Sequence, residues 1–126
     1  MSELALFAIS SQRMQWLSAR QSAIASNIAN ADTPGYRARD VAAFESYLEG
    51  ARLDTKVTSA GHISSAPANG VDVKATERGR GEGKHSGNTV SLEHELIRSA
   101  QVKGSHALTV EVVGAFHQMM ISAVRE

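Results

Sequence analysis

No cysteine occurs among the 126 residues, so disulfides and thiolate chemistry are excluded and the redox compartment leaves no mark. Net charge is missing as well, because 13 Lys and Arg balance 13 Asp and Glu. That excludes a nucleic-acid binder working through a basic field and removes one barrier to self-association. Aromatic residues are scarce, 5% against 42% hydrophobic overall. The length suits one domain, but so few large side chains make a modest core, and neighbouring copies are expected to complete its apolar surface. No apolar run approaches the ~20 residues of a membrane span. The N-terminus has no basic stretch leading into an apolar core and a small-residue cleavage site, so no cleavable secretory signal is read there.

What is present is helical spacing at both ends. Residues 2–31 read as one long helix, with Ser2 as its cap and Glu3 at its positive end. Phe7, Met14, Leu17, Ile24 and Ile28 fall on a heptad seam, interrupted by Ser10 and Gln21, while Ile9, Trp16 and Ala23 form a second stripe. So wide an arc calls for more than one packing partner. The helix is then stopped by the stretch Ser26-Asn27-Ile28-Ala29-Asn30-Ala31-Asp32-Thr33-Pro34-Gly35-Tyr36. Thr33 precedes proline and is pushed out of the α region. Pro34-Gly35 suits the centre of a type II turn, and Asn30 and Asp32 can bond local backbone. By itself the stretch is a well-built helix stop.

Tyr36 to Arg39 reads as extended. Asp40 is expected to cap a short helix over 41–49, with Val41, Phe44 and Leu48 facing inward, Tyr36 packed against it and Gly50 at its end. Residues 51–90 are rich in glycine and serine, with strand-like pieces only at 56–58 and 70–75. The run 78–84 invites a phosphate-loop reading, which fails: Arg78 stands where glycine is required and His85 where Ser or Thr should follow. From Ser91, an expected N-cap, helical spacing returns, with Glu93 and Glu95 complementing the helix N-terminus. Leu92, Leu96, Val110, Val113, Met120 and Val124 mark an apolar seam whose middle, Ser99, Lys103 and His106, is polar. Gly104 and Gly114 each cost such a helix ~1 kcal/mol against alanine.

Chemistry has no foothold in this pattern. His106 and His117 are eleven residues apart, about 16 Å along a helix, too far to share a metal; His62, His85 and His94 form no ligand pair with them. Glu93 and Glu95 do not face each other on a helix, and no serine has a nucleophile-elbow context. No catalytic, cofactor-binding or metal-binding residue is assigned, and the chain reads as a non-enzyme.

Two stretches resemble the bacterial flagellar axial proteins, the family of rod, hook and hook-associated subunits. In the first, the matching residues are Asn27, Asn30, Thr33, Pro34, Gly35 and Tyr36; in the second, Asn88-Thr89-Val90-Ser91-Leu92-Glu93-His94-Glu95-Leu96, they include Leu92, Glu93 and Glu95. Two terminal helices around a short middle make the chain most similar to the proximal-rod members of the flagellar basal body. The fold expected is mainly α, its long N- and C-terminal helices paired as an antiparallel coiled-coil-like hairpin with a short irregular, β-containing middle. Its segments would be an assembly helix over 1–31, the Thr-Pro-Gly turn and short helix over 32–50, the Gly-rich stretch over 51–90, and a second assembly helix over 91–126. The resemblance implies a structural subunit of a helical tube that transmits torque, held together by the seam of Phe7, Met14, Leu17, Ile24, Ile28, Leu96, Val110, Val113, Met120 and Val124. Implied partners are its own copies, other rod proteins, the adaptor at the rod base, the membrane ring protein and the flagellar export apparatus, with no nucleic acid and no small-molecule substrate. The implied place is the periplasm-spanning rod, reached without a cleaved signal. The alternative is a soluble helical-hairpin adaptor or export chaperone that holds a partner's amphipathic helix.

Overall fold

The computed structural model describes residues 2–51, 74–78 and 84–124. A helix over Ser2–Ala29 (α1) leads into a turn, the strand Arg39–Val41 (β1) and the short helix Phe44–Ala51 (α2). A second strand, Ala75–Glu77 (β2), precedes the long helix Leu92–Val124 (α3). The expected strand-like piece at 56–58, residues 70–73 of the piece expected over 70–75, the glycine-rich 79–83, His62, and the capping by the side chains of Ser2 and Glu3 lie outside the description.

α1 and α3 run antiparallel, as expected. Asn27 meets Glu95, Gln21 meets Ser99, and Phe7 meets Phe116 edge-on with ring centres 5.9 Å apart. α1 stops two residues short of its expected end. The amide of Asn30 is shared between the carbonyls of Ser26 and Asn27, and Ala31 donates to Ile28, so the bonding tightens from i−4 to i−3.

The short helix begins later than the sequence reading places it, and Asp40 does not cap it. Residues 39–41 pair antiparallel with 75–77 in the register Arg39–Glu77, Asp40–Thr76, Val41–Ala75. The partner strand lies more than thirty residues away, so nothing local announces the pairing. Asp40 instead presents its carboxylate to Arg20, Arg78 and Arg98. Tyr36 turns back to α1, its hydroxyl 3.2 Å from Ser26 Oγ and 3.3 Å from Asn27 Oδ1, rather than onto α2.

The core lies around the middle of α1: Trp16, Leu17, Ile24, Val41, Phe44 and Val102, with Ile28, Tyr47 and Leu48 packed at its edge. The second stripe of α1 thus has its own partner at Trp16, while Ile9 stays exposed. Trp16 packs on Phe44 at 5.8 Å and donates its indole N–H to the Ala42 carbonyl at 2.8 Å. Arg20 and Arg13 cover Trp16 and Phe44 at 5.2 and 5.3 Å.

The inner row of α3 lies one residue back from part of the expected seam. Glu95, Val102 and Thr109 are its buried residues, seven apart, and Phe116 continues the step toward Phe7. Polar residues occupy this row because their partners are in place. Ser99 Oγ accepts from Gln21, and the Thr109 hydroxyl donates to the Ser105 carbonyl. Much of the apolar character of α3 therefore points outward. By length and composition alone α3 could also cross a membrane.

Candidate assembly site

The end of α1 and the start of α3 meet in a polar junction built from both family-like stretches. Asn27, fully buried in α1, fills all four of its hydrogen-bonding positions. Its Nδ2 donates to the Arg39 carbonyl at 2.7 Å and to Glu95 Oε2 at 3.1 Å; its Oδ1 accepts from the Arg39 amide at 2.8 Å and from the Tyr36 hydroxyl. Glu95, also 0% exposed, takes both terminal nitrogens of Arg78 on Oε1 at 3.0 Å. A charge-assisted two-nitrogen contact of this kind offsets the desolvation of a buried carboxylate. Arg78 in turn lies 3.8 Å from Asp40, which Arg98 approaches to 2.7 Å and Arg20 to 3.4 Å. Three guanidinium groups and two carboxylates thus tie α1, β1, the end of β2 and α3 together.

A second device closes the helix stop. The buried Asn88 directs its amide nitrogen at the carbonyls of Asn30, Ala31 and Thr33, at 2.9, 3.0 and 2.8 Å. Those carbonyls lie just past the end of α1 and have no helical partner. Its Oδ1 meanwhile accepts from the Val90 amide at 2.7 Å, setting the direction in which the chain enters α3. Thr33-Pro34-Gly35-Tyr36 forms the expected turn: Tyr36 N–H donates to the Thr33 carbonyl, and Gly35 has φ +74°. A matching turn, Lys84 to Gly87, lies against it. Gly35 N–H donates to Ser86, and a Cβ on Gly87 would sit 3.6 Å from the Gly35 backbone. Thr33 and Asn30 bond each other at the surface, and Pro34 is exposed.

The junction brings together most of the motif residues named from sequence, but Leu92 and Glu93 stay at the surface. Sequence reasoning missed Asn88, Arg78, Asp40 and Arg98. Asn88 opens the second family-like stretch, which is a signal; the arginines have none, because their partners come from separate elements. The seam residues divide. Leu17 and Ile24 are buried, and Phe7, Met14, Ile28, Val113 and Met120 half-buried. Leu96, Val110 and Val124 face outward, Val124 at 86% exposure.

A cleft of about 670 Å³ opens beside the junction, with Arg78, Lys84 and Arg98 in its wall. Arg78 and Arg98 are committed to Glu95 and Asp40. Among the described residues, no three His, Asp or Glu side chains converge as a metal site would require.

Residues 7–37, which span α1 and the turn, match the family model described as flagella basal body rod protein. A flagellar basal body rod protein FlgB from Agrobacterium fabrum is 32% identical over 129 aligned residues, covering 99% of this chain and 96% of the relative. FlgB of Yersinia enterocolitica is 31% identical, covering 85% of this chain and 84% of the relative. FlgB of Salmonella typhimurium is 29% identical, covering 84% and 83%.

Proposed function

Since the chain belongs to the FlgB family of flagellar basal body rod proteins, we propose that it builds the proximal rod by packing α1 and α3 against neighbouring subunits in a helical, torque-transmitting tube. The chain is a structural component of the flagellar basal body that assembles with other rod proteins. The observation that supports the tube is the surface of α3. Ile97, Leu108, Val112 and Met119 are exposed on one side, Leu96 and Val110 on another, while α1 occupies a third. A helix apolar on several sides is a buried helix, and among the described residues of one chain only α1 and its neighbours cover one side of it. Heterologous contacts that repeat without closing produce tubes.

In this reading Phe7, Met14, Leu17, Ile24, Ile28, Val113 and Met120 hold the hairpin together, and Leu96, Val110 and Val124 carry cohesion between subunits. The motif residues Asn27 to Tyr36, with Glu95, fix the angle at which the middle of the chain leaves the helix pair. The partners proposed are the chain's own copies, other rod proteins, the base adaptor and the membrane ring protein, with the export apparatus delivering the chain without a cleaved signal. The reading includes no catalytic step and no cofactor.

Electron microscopy of basal bodies purified with and without this gene tests it. Loss of the gene should leave the membrane ring without a rod. A complete rod in the deletion strain would overturn the role.

A further inference from the structure

A groove of about 400 Å³ runs between α1 and α3, walled by Met14, Leu17, Gln21, Val102, Lys103 and Ala107. Among the described residues, none that lines it comes from β1, α2 or β2. Elsewhere on α3, Ile97, Leu108, Val112 and Met119 are each about half exposed or more. At 100° per residue these four fall within roughly 60° of arc, and that row lies about 130° around the helix from Lys103 and Ala107. Groove and row therefore face different directions, so a chain cannot cover its own row with its own groove. Two unlike surfaces on one molecule are what a heterologous contact between copies uses.

Charge selects the occupant. Glu111 borders the exposed row and is the one acid of α3 beyond Glu95, while Lys103 on the groove wall is the one lysine of α3. Both are exposed, and among the described residues neither takes part in an ion pair. Within one helix they stand eight residues, about 12 Å, apart and cannot reach each other. A parallel neighbour displaced by that same distance would bring the two charges together. The zero formal net charge opposes no such stacking.

We propose that the Ile97–Leu108–Val112–Met119 row of one copy seats in the α1–α3 groove of the next, with Glu111 of the first paired to Lys103 of the second. This rests on the rod reading above and adds to it the faces and the axial offset. The ion pair sets register more than affinity, as exposed complementary charges do; the apolar row supplies cohesion.

The absence of native cysteine makes a cross-linking test clean. The full chain carrying both Lys103→Cys and Glu111→Cys is expressed in place of the native protein, and purified basal bodies are oxidised and run without reductant. The expected result is a ladder of linked copies from the double variant and none from either single variant; about 12 Å within one helix exceeds disulfide reach. Incorporation of the double variant without cross-links, or linkage only to a different protein, would overturn the docking and leave the rod reading intact. Dimers from a single-cysteine variant would reveal a symmetric contact and overturn it too. Absence of the unmodified chain from basal bodies would instead defeat the rod reading. Charge reversal provides a second readout: Lys103→Glu and Glu111→Lys should each reduce swimming in soft agar, and the two together should restore it. A double reversal as defective as the singles would overturn the pairing.

Discussion

Glu95 bears the greatest demand of any single residue. Its carboxylate is wholly buried, and its partners, Asn27 and Arg78, come from two other parts of the chain. Truncating one member of a buried pair strands the other. Arg78 keeps about a quarter of its side chain in solvent (27%), so the penalty falls below that of a fully enclosed pair. Glu95→Ala is expected to destabilise the chain by roughly 2–4 kcal/mol, read as a lower urea midpoint. Trp16, the single tryptophan, sits against Phe44 in the core and serves as the fluorescent probe. An unchanged midpoint would show that the Asn27–Glu95–Arg78 tie does not hold the junction.

At the scale of elements, the glycines of α3 are the informative positions. Among the described residues, a Cβ built on Gly104 or Gly114 meets nothing within 4 Å, so neither glycine serves close packing against them. Gly114→Ala should therefore raise the helicity and stability of the isolated chain by about 1 kcal/mol, measured by circular dichroism during thermal unfolding. If a neighbouring subunit approaches closely there, the same variant should be recovered from basal bodies in smaller amount. Greater stability with undiminished recovery would show that no subunit contact depends on that space. α1 behaves differently past its first turns, where one stripe faces α3 and the other, at Trp16, faces Phe44 and Tyr47 of α2; Ile9 alone of that second stripe stays exposed.

Across the whole molecule, order is distributed unevenly. Among the described residues the buried hydrophobic ones lie in the middle of α1, at Ala38, Val41 and Phe44, at Val90 just before α3, and at Val102, the last of them along α3. Beyond it the helix pair is joined mainly by half-buried contacts such as Phe7–Phe116. Isolated long helices with few tertiary contacts are marginal. Hydrogen exchange on the isolated chain should accordingly find residues 16–28 and 92–102 better protected than 5–12 and 110–124, with the weak end gaining protection on assembly. Uniform strong protection to both ends would contradict a hairpin completed by its neighbours.

The sequence by itself determined the two long helices, the stop of the first ahead of Thr33-Pro34-Gly35, the double stripe on α1 and the family. Each depends on local propensity or on spacing within one element, which short windows preserve. It did not determine the inner face of α3. That face carries Glu95 and Ser99, and such positions look like solvent-facing ones until Asn27, Arg78 and Gln21 are seen beside them. Nor did it place Asp40, whose local context suits a helix cap but whose carboxylate serves three arginines drawn from separate elements. Hydrophobic pattern marks which surfaces of a chain need covering. Only the tertiary structure decided which of them the chain covers itself, because a buried polar group needs a partner, and those of Glu95 and Asn27 arrive from distant parts of the chain.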